Sequence, residues 1–397
     1  MRILHTADWH LGRTLHGEDL HSHQEAFLDH LVAVAREERV AAVVVAGDVY
    51  DRAIPPVTAV ELLAEALQRL SETAHVILTP GNHDSASRLG FAAPLLRDGV
   101  RILSRVSGVA TPVVVPASDG GEVLVYGLPY LDPDVVRFEL AERPGDTLAR
   151  SHEAVVGAAM GRVRADLAAR RQRAARRLPA VVMAHAFVTG GEASDSERDI
   201  RVGGADSVPF GVFSGTGAEE VDYVALGHLH GPQRVSPEGQ HTLGRYSGSP
   251  LAYSFSEQHH RKSSAIVRMT EAGVAEVELI PAPQPRRLSE VRGTLAEVCS
   301  PRFASQADDW VRVTVTDDHR PAGMVGAVRE RFPHALIVRH VPATAPRQLS
   351  PQIQAAHDPL DVVSDFVTAV SGHAPDPAEQ RVLRAAYEAV LAEERSA

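Results

Sequence analysis

The chain has 397 residues, which is long enough for two or three domains. Hydrophobic residues make up 44% and charged residues 23%, a globular mixture that excludes fibrous repeats and general disorder. The formal net charge of −11 argues against a protein that grips nucleic acid over its whole surface, and the single cysteine, Cys299, excludes a disulfide framework and a cysteine-rich zinc site.

The first hundred residues alternate predicted strands and helices. Strands are predicted over residues 2–6, 40–46 and 75–79, and helices over 24–38 and 57–70. The second of these strands is the longest apolar run of the chain, and it is too short to cross a membrane. Since the N-terminus also lacks a signal-peptide pattern, we expect a cytoplasmic protein. Each strand runs into a polar loop, and ligands bind at that edge of open α/β sheets.

The middle of the chain has a different pattern of predicted elements. Three predicted strands in succession, over 101–103, 112–116 and 122–128, indicate a second sheet stacked on the first. A long arginine-rich helix is predicted over 151–177, and strands that run into loops return at 180–186 and 223–228. A predicted hairpin, 263–270 with 274–281, closes the region. We therefore expect a core domain over residues 1–281.

The C-terminal part begins after a domain boundary marked by Pro281, Pro283 and Pro285. Residues 286–342 are predicted to form a small α/β module, with helices at 288–298 and 322–332 and strands at 310–316 and 335–341. A proline-bearing linker is predicted over 343–358, and residues 359–397 hold two short amphipathic helices. Their apolar stripes are Leu360, Val363, Val367 and Val370 in the first helix and Leu383, Tyr387 and Val390 in the second. Such helices either pack on their own domain or bind a partner that buries the stripe, and the proline-bearing linker before them favours a partner.

Five polar clusters lie at the ends of predicted strands. They are Asp8-x-His10, Gly47-Asp48-x-x-Asp51, Gly81-Asn82-His83-Asp84, His185 and Gly227-His228-x-His230. Each cluster alone is typical of a turn or an ordinary histidine, but five of them at successive strand ends indicate one shared site. Carboxylates, an amide oxygen and imidazoles without a thiolate suit divalent metals of intermediate hardness. So many ligands exceed the needs of one tetrahedral ion and suit two adjacent ions that share a bridging carboxylate.

The five clusters resemble the signature of the calcineurin-like metallophosphoesterases. Longer stretches narrow the likeness to nuclease subunits of bacterial DNA-repair complexes: residues 8–12 (DWHLG), 46–51 (AGDVYD), 81–85 (GNHDS) and 246–250 (YSGSP), followed by Ser254 and Phe255. This resemblance implies an α/β fold with a two-sheet sandwich flanked by helices. It also implies that residues 286–342 are a small DNA-capping domain and that a C-terminal helix pair follows.

The resemblance further implies a map of the site. One ion would be held by Asp8, His10 and His230, the other by Asn82, His185 and His228, and Asp48 would bridge them. His83 would be catalytic and face the substrate phosphate, while Asp51 and Asp84 would orient ligands. Manganese is the metal that the resemblance favours, and the same ligands also suit iron or zinc. For DNA contact, Arg13 and His16 are the candidates nearest the site, and the arginines of the 151–177 helix are expected to be a solvated face.

The implied function is a DNA nuclease subunit that needs two metal ions. It would act as an exonuclease on duplex DNA and an endonuclease on single strands and hairpins, in end processing, repair and recombination. The C-terminal helices would bind a coiled-coil ATPase, with a homodimer at the centre of a heterotetramer on the nucleoid. Two alternatives stay open: a stand-alone phosphoesterase on nucleotides or other phosphate esters, and an adaptor with a vestigial metal site. The appendage over 286–397 argues against the first, and the complete set of ligands argues against the second.

Overall fold

The computed structural model describes residues 1–96, 99–117, 120–143, 145–197, 200, 207–342, 364, 367 and 374–394, with side chains as far as 386. Its strands are β1 (Arg2–Thr6), β2 (Thr14–Leu15), β3 (Glu18–Asp19), β4 (Ala42–Ala46), β5 (His75–Thr79), β6 (Val100–Ile102), β7 (Val113–Pro116), β8 (Glu122–Gly127), β9 (Ala180–His185), β10 (Phe187–Val188), β11 (Ser207–Val208), β12 (Tyr223–Gly227), β13 (Gln233–Arg234), β14 (Leu243–Tyr246), β15 (Ser263–Thr270), β16 (Gly273–Pro281), β17 (Leu288–Gly293), β18 (Trp310–Val315) and β19 (Ala335–His340). The α-helices are α1 (His21–Glu37), α2 (Val57–Ser71), α3 (Ala86–Leu89), α4 (Pro133–Val136), α5 (His152–Arg173), α6 (Leu295–Val298), α7 (Met324–Arg331) and α8 (Pro377–Glu394). Short 3-10 segments occupy Ala93–Leu95, Val106–Gly108, Phe210–Val212, Gly217–Glu219, Phe255–Glu257 and Pro301–Gln306.

The chain divides into two compact units, Met1–Pro342 and Ala343–Ala397. Within the ranges given above, no helix is both long and apolar enough to cross a membrane. The domain boundary that we predicted near residue 285 falls inside the first unit and stays a prediction.

The first unit contains two six-stranded sheets packed face to face. One has the strand order β16-β15-β1-β4-β5-β6, and the other has the order β13-β14-β12-β9-β8-β7. The central strands β1, β4 and β5 are parallel, as are β8, β9, β12 and β14. Parallel neighbours have their carboxyl ends at the same edge of a sheet, so the loops that follow β1, β4, β5, β9 and β12 can meet there.

Alternation of side chains along these strands builds three apolar layers. Ile3, Val44, Val181 and Ala225 lie in the layer between the two sheets. Outside the first sheet, α1 and α2 cover residues such as Val43, and outside the second sheet α5 covers residues such as Val182. The predicted two-sheet sandwich flanked by helices is confirmed, with one difference: β6, which we expected in the second sheet, pairs with β5 at the edge of the first.

A third sheet, β17-β18-β19, contains only parallel pairs and has its own apolar core around Val313 and Phe332. The helix predicted over 288–298 was wrong in its first half, because Leu288–Gly293 is β17 and only Leu295–Val298 is helical. Thr294 and Glu297 form a capping box at the start of this short helix. A threonine followed three residues later by a glutamate is a sequence signal for a helix start, and here it indicates a helix that begins at residue 295 rather than 288.

The small sheet packs on the core through an apolar cluster beside the β2–β3 hairpin. Leu288 and Trp310, at the starts of β17 and β18, lie against Leu251, Tyr253 and Phe255 of the core. The region predicted as a capping module is therefore in contact with the loop that carries the Ser-Gly-Ser-Pro motif.

In the second unit, the second of the two predicted terminal helices is present as α8. Its N-terminus is capped by Asp376, whose carboxylate accepts from the backbone N–H groups of Ala378 and Glu379 at 2.7 and 2.9 Å. The first predicted helix, with Leu360, Val363 and Val370, lies outside the described residues, apart from Ser364 and Val367, which are helical.

Candidate metal centre

Loops that leave the parallel strands are joined to each other by backbone hydrogen bonds. Asp8 N–H donates to the Gly47 carbonyl at 3.1 Å, and His10 N–H donates to the Asp48 carbonyl at 3.0 Å. From the other sheet, His228 N–H donates to Oδ1 of Asp8 at 2.9 Å. These hydrogen bonds hold the clusters after β1, β4 and β12 next to one another, although the clusters are far apart in sequence.

Several of the predicted ligands have left-handed backbone conformations. Among the described non-glycine residues, positive φ angles include those of Asp8 (55°), His10 (45°), Asp48 (47°) and His228 (107°). Each such conformation costs about 1–3 kcal/mol, and strain of this kind concentrates at functional sites. The backbone therefore directs these side chains into the site at a cost to stability.

Two glycines permit the close approach of the two sheets. A Cβ atom at Gly47, which has φ of 87°, would collide with the imidazole of His185, and one at Gly227 would collide with the carbonyl oxygen of Ala46. Both positions lie where the β4 loop meets β9 and β12. Only glycine fits there, so any other residue would push the predicted ligands apart.

Three overlapping groups of buried side chains have ligand atoms within 4.8 Å of one another. They are Asp8, His10 and His230; His10, Asp48 and His83; and Asp8, Asp48 and His185. In the first group the Nε2 atoms of His10 and His230 lie 3.1 Å apart. In the others, Oδ2 of Asp48 lies 3.7 Å from His10 Nε2 and 3.4 Å from His185 Nε2. Asp48 therefore lies near histidines of both predicted ligand sets, and its bridging role stays a prediction.

Asn82 and His228 complete the arrangement on the other side of Asp48. Oδ1 of Asn82 lies 2.8 Å from His185 Nε2 and 3.2 Å from His228 Nδ1. The Nδ1–H group of His185 donates to the Ala46 carbonyl at 3.0 Å. Burial acts to lower the pKa of His185, but the carboxylates of Asp48 and Asp8 raise it to about 9, so that without a cation Nε2–H donates to Oδ1 of Asn82. A metal ion bound by these two atoms would take the place of that hydrogen.

Burial and neighbouring charges shift the pKa values of the site. Burial lowers the pKa of His10 and His228 well below 6.5, so both rings are neutral and able to bind a metal. Burial also raises the pKa of Asp8 to about 7. For Asp48, burial acts to raise the pKa, but His185, His10 and His83 hold it well below its usual value.

The donor set fits divalent metal ions. Oδ2 of Asp8 is buried and accepts no hydrogen bond from any described residue, although carboxylate oxygens at such positions normally have partners. Imidazole, carboxylate and amide oxygen are all ligands of Mn²⁺, Fe²⁺ and Zn²⁺. The residues present therefore suit a metal centre without any thiolate.

The predicted orienting residues have distinct contacts. The carboxylate of Asp84 accepts from three backbone N–H groups, those of Val49, Tyr50 and Gly81, at 2.9–3.0 Å, and so links the β4 loop to the β5 loop. Oδ1 of Asp51 lies 3.6 Å from His10 Nδ1 and 3.6 Å from a guanidinium nitrogen of Arg13. Both carboxylates thus border the predicted ligands, and their orienting role stays a prediction.

His83 is held beside Asp48 by hydrogen bonds from its backbone and its ring. Its backbone N–H donates to Oδ1 of Asp48 at 2.8 Å, and its Nδ1–H donates to the Asp51 carbonyl at 2.8 Å. Its Nε2 lies 3.9 Å from Oδ2 of Asp48. The ring therefore belongs to one group of ligand atoms, with His10 and Asp48.

The two predicted DNA-contacting residues have different surroundings. Arg13 lies over the ring of Tyr253 at 4.8 Å and donates to the Ser196 carbonyl at 3.1 Å, beside the site. His16 stacks on Phe255, with ring centroids 5.5 Å apart. Six of the seven arginines between 162 and 177 donate to groups of this chain, which favours a structural role for them: Arg162, Arg164, Arg170, Arg171, Arg176 and Arg177.

Sequence analysis missed two residues of the site. Gln24, on the buried face of α1, donates to the His10 carbonyl at 2.8 Å and accepts from Gly12 N–H at 3.1 Å. The sequence could have indicated this role, because Gln24 is a polar residue on the otherwise apolar face of a predicted amphipathic helix. Glu257, two residues beyond the Ser254-Phe255 pair, lies behind His230 and had no comparable signal.

Comparisons with known proteins agree with this geometry. Residues 1–232 match the family model described as calcineurin-like phosphoesterase, and residues 284–371 match the one described as type 5 capsule protein repressor C-terminal domain. The chain is 38% identical to the SbcD subunit of the nuclease SbcCD of Bacillus subtilis, over 67% of this chain and 66% of that protein. It is 29% identical to the SbcD subunit of Escherichia coli K12 over 98% of both chains, and 37% identical to that of Rhodobacter capsulatus over 72% of this chain and 70% of that one.

Proposed function

Since this chain belongs to the calcineurin-like phosphoesterases and, within them, to the SbcD nuclease subunits, we propose that it cuts DNA together with an SbcC-like ATPase. The chain is a metal-dependent phosphodiesterase with a nuclease role. Its proposed activities are exonuclease action on duplex ends and endonuclease action on single strands and hairpins. The proposed process is end processing in DNA repair, recombination and replication.

The observation that carries this proposal is the convergence of buried ligand atoms on Asp48. We propose that Asp8, His10 and His230 hold one divalent ion, that Asn82, His185 and His228 hold the other, and that Asp48 bridges them. Manganese is the proposed metal. When bound, such ions offset the negative charge of a phosphodiester and lower the pKa of water at the site.

The protein's own residues supply orientation and proton transfer. Because Nδ1–H of His83 donates to the Asp51 carbonyl, Nε2 is the atom that can hold the exchangeable proton. We propose that Nε2 gives this proton to the leaving oxygen of the substrate, a role worth about 10²–10⁴-fold in rate. Asp84 keeps the loops of Asp48 and Asn82 together, and Gln24 keeps the loop of His10 in place.

The proposed partners are DNA, an ATPase and a second copy of this chain. The domain-model match at 284–371 and the α8 helix support binding of the coiled coil of an SbcC-like ATPase by the C-terminal segment. Exposed apolar side chains on α2 and in the segment after α3 support dimerisation, since Val57 is 71% exposed, Phe91 80% and Leu95 75%.

The test uses the purified full-length chain with and without its ATPase. Linear duplex, hairpin and single-stranded DNA are incubated with Mn²⁺, Mg²⁺, Fe²⁺ or Zn²⁺, and products are resolved on sequencing gels. We expect metal-dependent cleavage that ATP and the ATPase stimulate on duplex ends, and no cleavage by Asp48→Ala. Hydrolysis of nucleotides or simple phosphate esters without cleavage of any DNA would instead favour the stand-alone phosphoesterase.

A further inference from the structure

A buried carboxylate–ammonium pair lies directly behind one of the predicted ligands. The side chains of Glu257 and Lys262 form an ion pair and are 0% and 1% exposed. The ammonium group also donates to Ser249 Oγ at 2.8 Å. Buried ion pairs return little net stability after the cost of desolvating both charges. The position of this pair is therefore better explained by what it contacts than by a contribution to folding.

The pair and its neighbours hold His230 at three points. Oε1 of Glu257 lies 3.2 Å from Nδ1 of the ring, and Ser196 Oγ lies 2.6 Å from the same atom while donating to that carboxylate. Lys262 Nζ donates to the His230 carbonyl at 2.9 Å. The His230 N–H donates to Oε1 of Glu197 at 2.8 Å. Both the ring and the backbone of His230 are thus fixed.

This arrangement determines which ring nitrogen of His230 faces the site. A carboxylate only accepts hydrogen bonds, so Nδ1 carries the hydrogen and Nε2 carries the lone pair in the neutral ring. Nε2 is the atom that lies 3.1 Å from Nε2 of His10 and within the group formed with Asp8. Carboxylate–histidine pairs of this kind orient metal ligands and raise their basicity.

We propose that Glu257, anchored by Lys262, is a positioning residue that sets the orientation and hydrogen placement of His230 for the ion shared with Asp8 and His10. This inference rests on the proposed function. It predicts an asymmetry, because Nδ1–H of His185 donates to the Ala46 carbonyl at 3.0 Å, whereas Oδ1 of Asp8 lies 3.9 Å from that nitrogen, beyond hydrogen-bond distance. Loss of the pair should therefore weaken one metal site and leave the other unchanged.

The test compares three variants of the full-length chain. Glu257→Leu combined with Lys262→Met replaces the pair by apolar side chains of similar size, which tends to preserve folding. Glu257→Gln keeps a hydrogen-bond acceptor but removes the charge. The matched control is Asp222→Asn, which changes another fully buried carboxylate, one that pairs with Arg171 and Arg177 and contacts none of the predicted ligands.

The metal-free proteins are titrated with Mn²⁺, and free Mn²⁺ is measured by electron paramagnetic resonance. We expect two sites in the wild type and in Asp222→Asn. In the double variant one Kd should rise about 10–100-fold while the other stays unchanged, with a smaller rise in Glu257→Gln. Long-range ¹⁵N NMR of the metal-free wild type should show His230 with hydrogen on Nδ1, and the double variant should lose this preference.

Each other result has a distinct meaning. Wild-type binding at both sites of the double variant, or equal weakening of both sites in that variant and the control, would overturn the positioning role. If the double variant does not fold, Glu257→Gln against Asp222→Asn makes the same comparison. Failure of the wild type to bind Mn²⁺ at two sites would overturn the proposed function instead.

Discussion

Asp84 offers the sharpest test of how the centre is assembled, because it touches no predicted ligand side chain yet joins two ligand-bearing loops. Its carboxylate accepts from the N–H groups of Val49 and Tyr50 in one loop and of Gly81 in the other. All three amides belong to buried residues. Asp84→Ala removes the acceptor for all of them and leaves the side chains of Asp48 and Asn82 in place.

The magnitude follows from these three hydrogen bonds. A buried donor left without a partner costs about 1–3 kcal/mol. Asp84 is partly exposed, so water can replace part of what is lost, and we expect a loss of about 3–4 kcal/mol in the free energy of unfolding. For the unit Met1–Pro342, with an unfolding entropy of about 2.1 cal/mol/K per residue, that corresponds to a fall in Tm of roughly 4–6 °C. Asp84→Asn keeps one acceptor oxygen and should lose about half as much.

The assay is thermal unfolding in a chelating buffer, followed by Mn²⁺ titration. Asp132→Ala is the matched control, because Asp132 also accepts from a backbone N–H, that of Asp134, but at an exposed helix start. This control should lose only about 1 kcal/mol. Metal affinity should fall about 10–100-fold in Asp84→Ala alone. A Tm within about 2 °C of the control, together with unchanged Mn²⁺ binding, would refute the reasoning.

Three further predictions concern the site and the C-terminus. Asp48→Ala removes the carboxylate that faces His10, His83 and His185, so bound metal and DNA cleavage should both be lost; a folded variant that holds two ions and cuts DNA would contradict the site map. His83→Ala should keep its metal, measured by plasma emission, while duplex degradation falls about 10²-fold or more; loss of one metal equivalent would make His83 a ligand. Ending the chain after Pro346 should leave the first unit folded and able to bind metal, because no predicted ligand lies beyond His230. The same truncation should abolish co-purification with the tagged ATPase and ATP-stimulated duplex cleavage while single-strand cleavage persists, and undiminished binding would place the partner surface elsewhere.

Sequence alone determined the elements that depend on local pattern. Apolar runs that end in polar residues predicted β1, β4, β5, β9 and β12, and the structure has each of them. The candidate ligands were identifiable because each cluster directly follows a strand, where neighbouring parallel strands present their carboxyl ends. The relative position of two residues within one cluster, such as Asp8 and His10, depends only on the strand that precedes them and not on the rest of the fold.

Only the tertiary structure decided which elements pair and which side chains lie behind the ligands. Leu288 and Val291 are three residues apart, a spacing that suits a helix, but parallel pairing with β18 makes the segment a strand. Glu257 reaches His230 because the loop before β15 folds back over the site, and no local pattern encodes that approach. Hydrogen bonds between residues distant in the chain depend on the whole sheet arrangement, since local propensity is a weak influence beside tertiary packing.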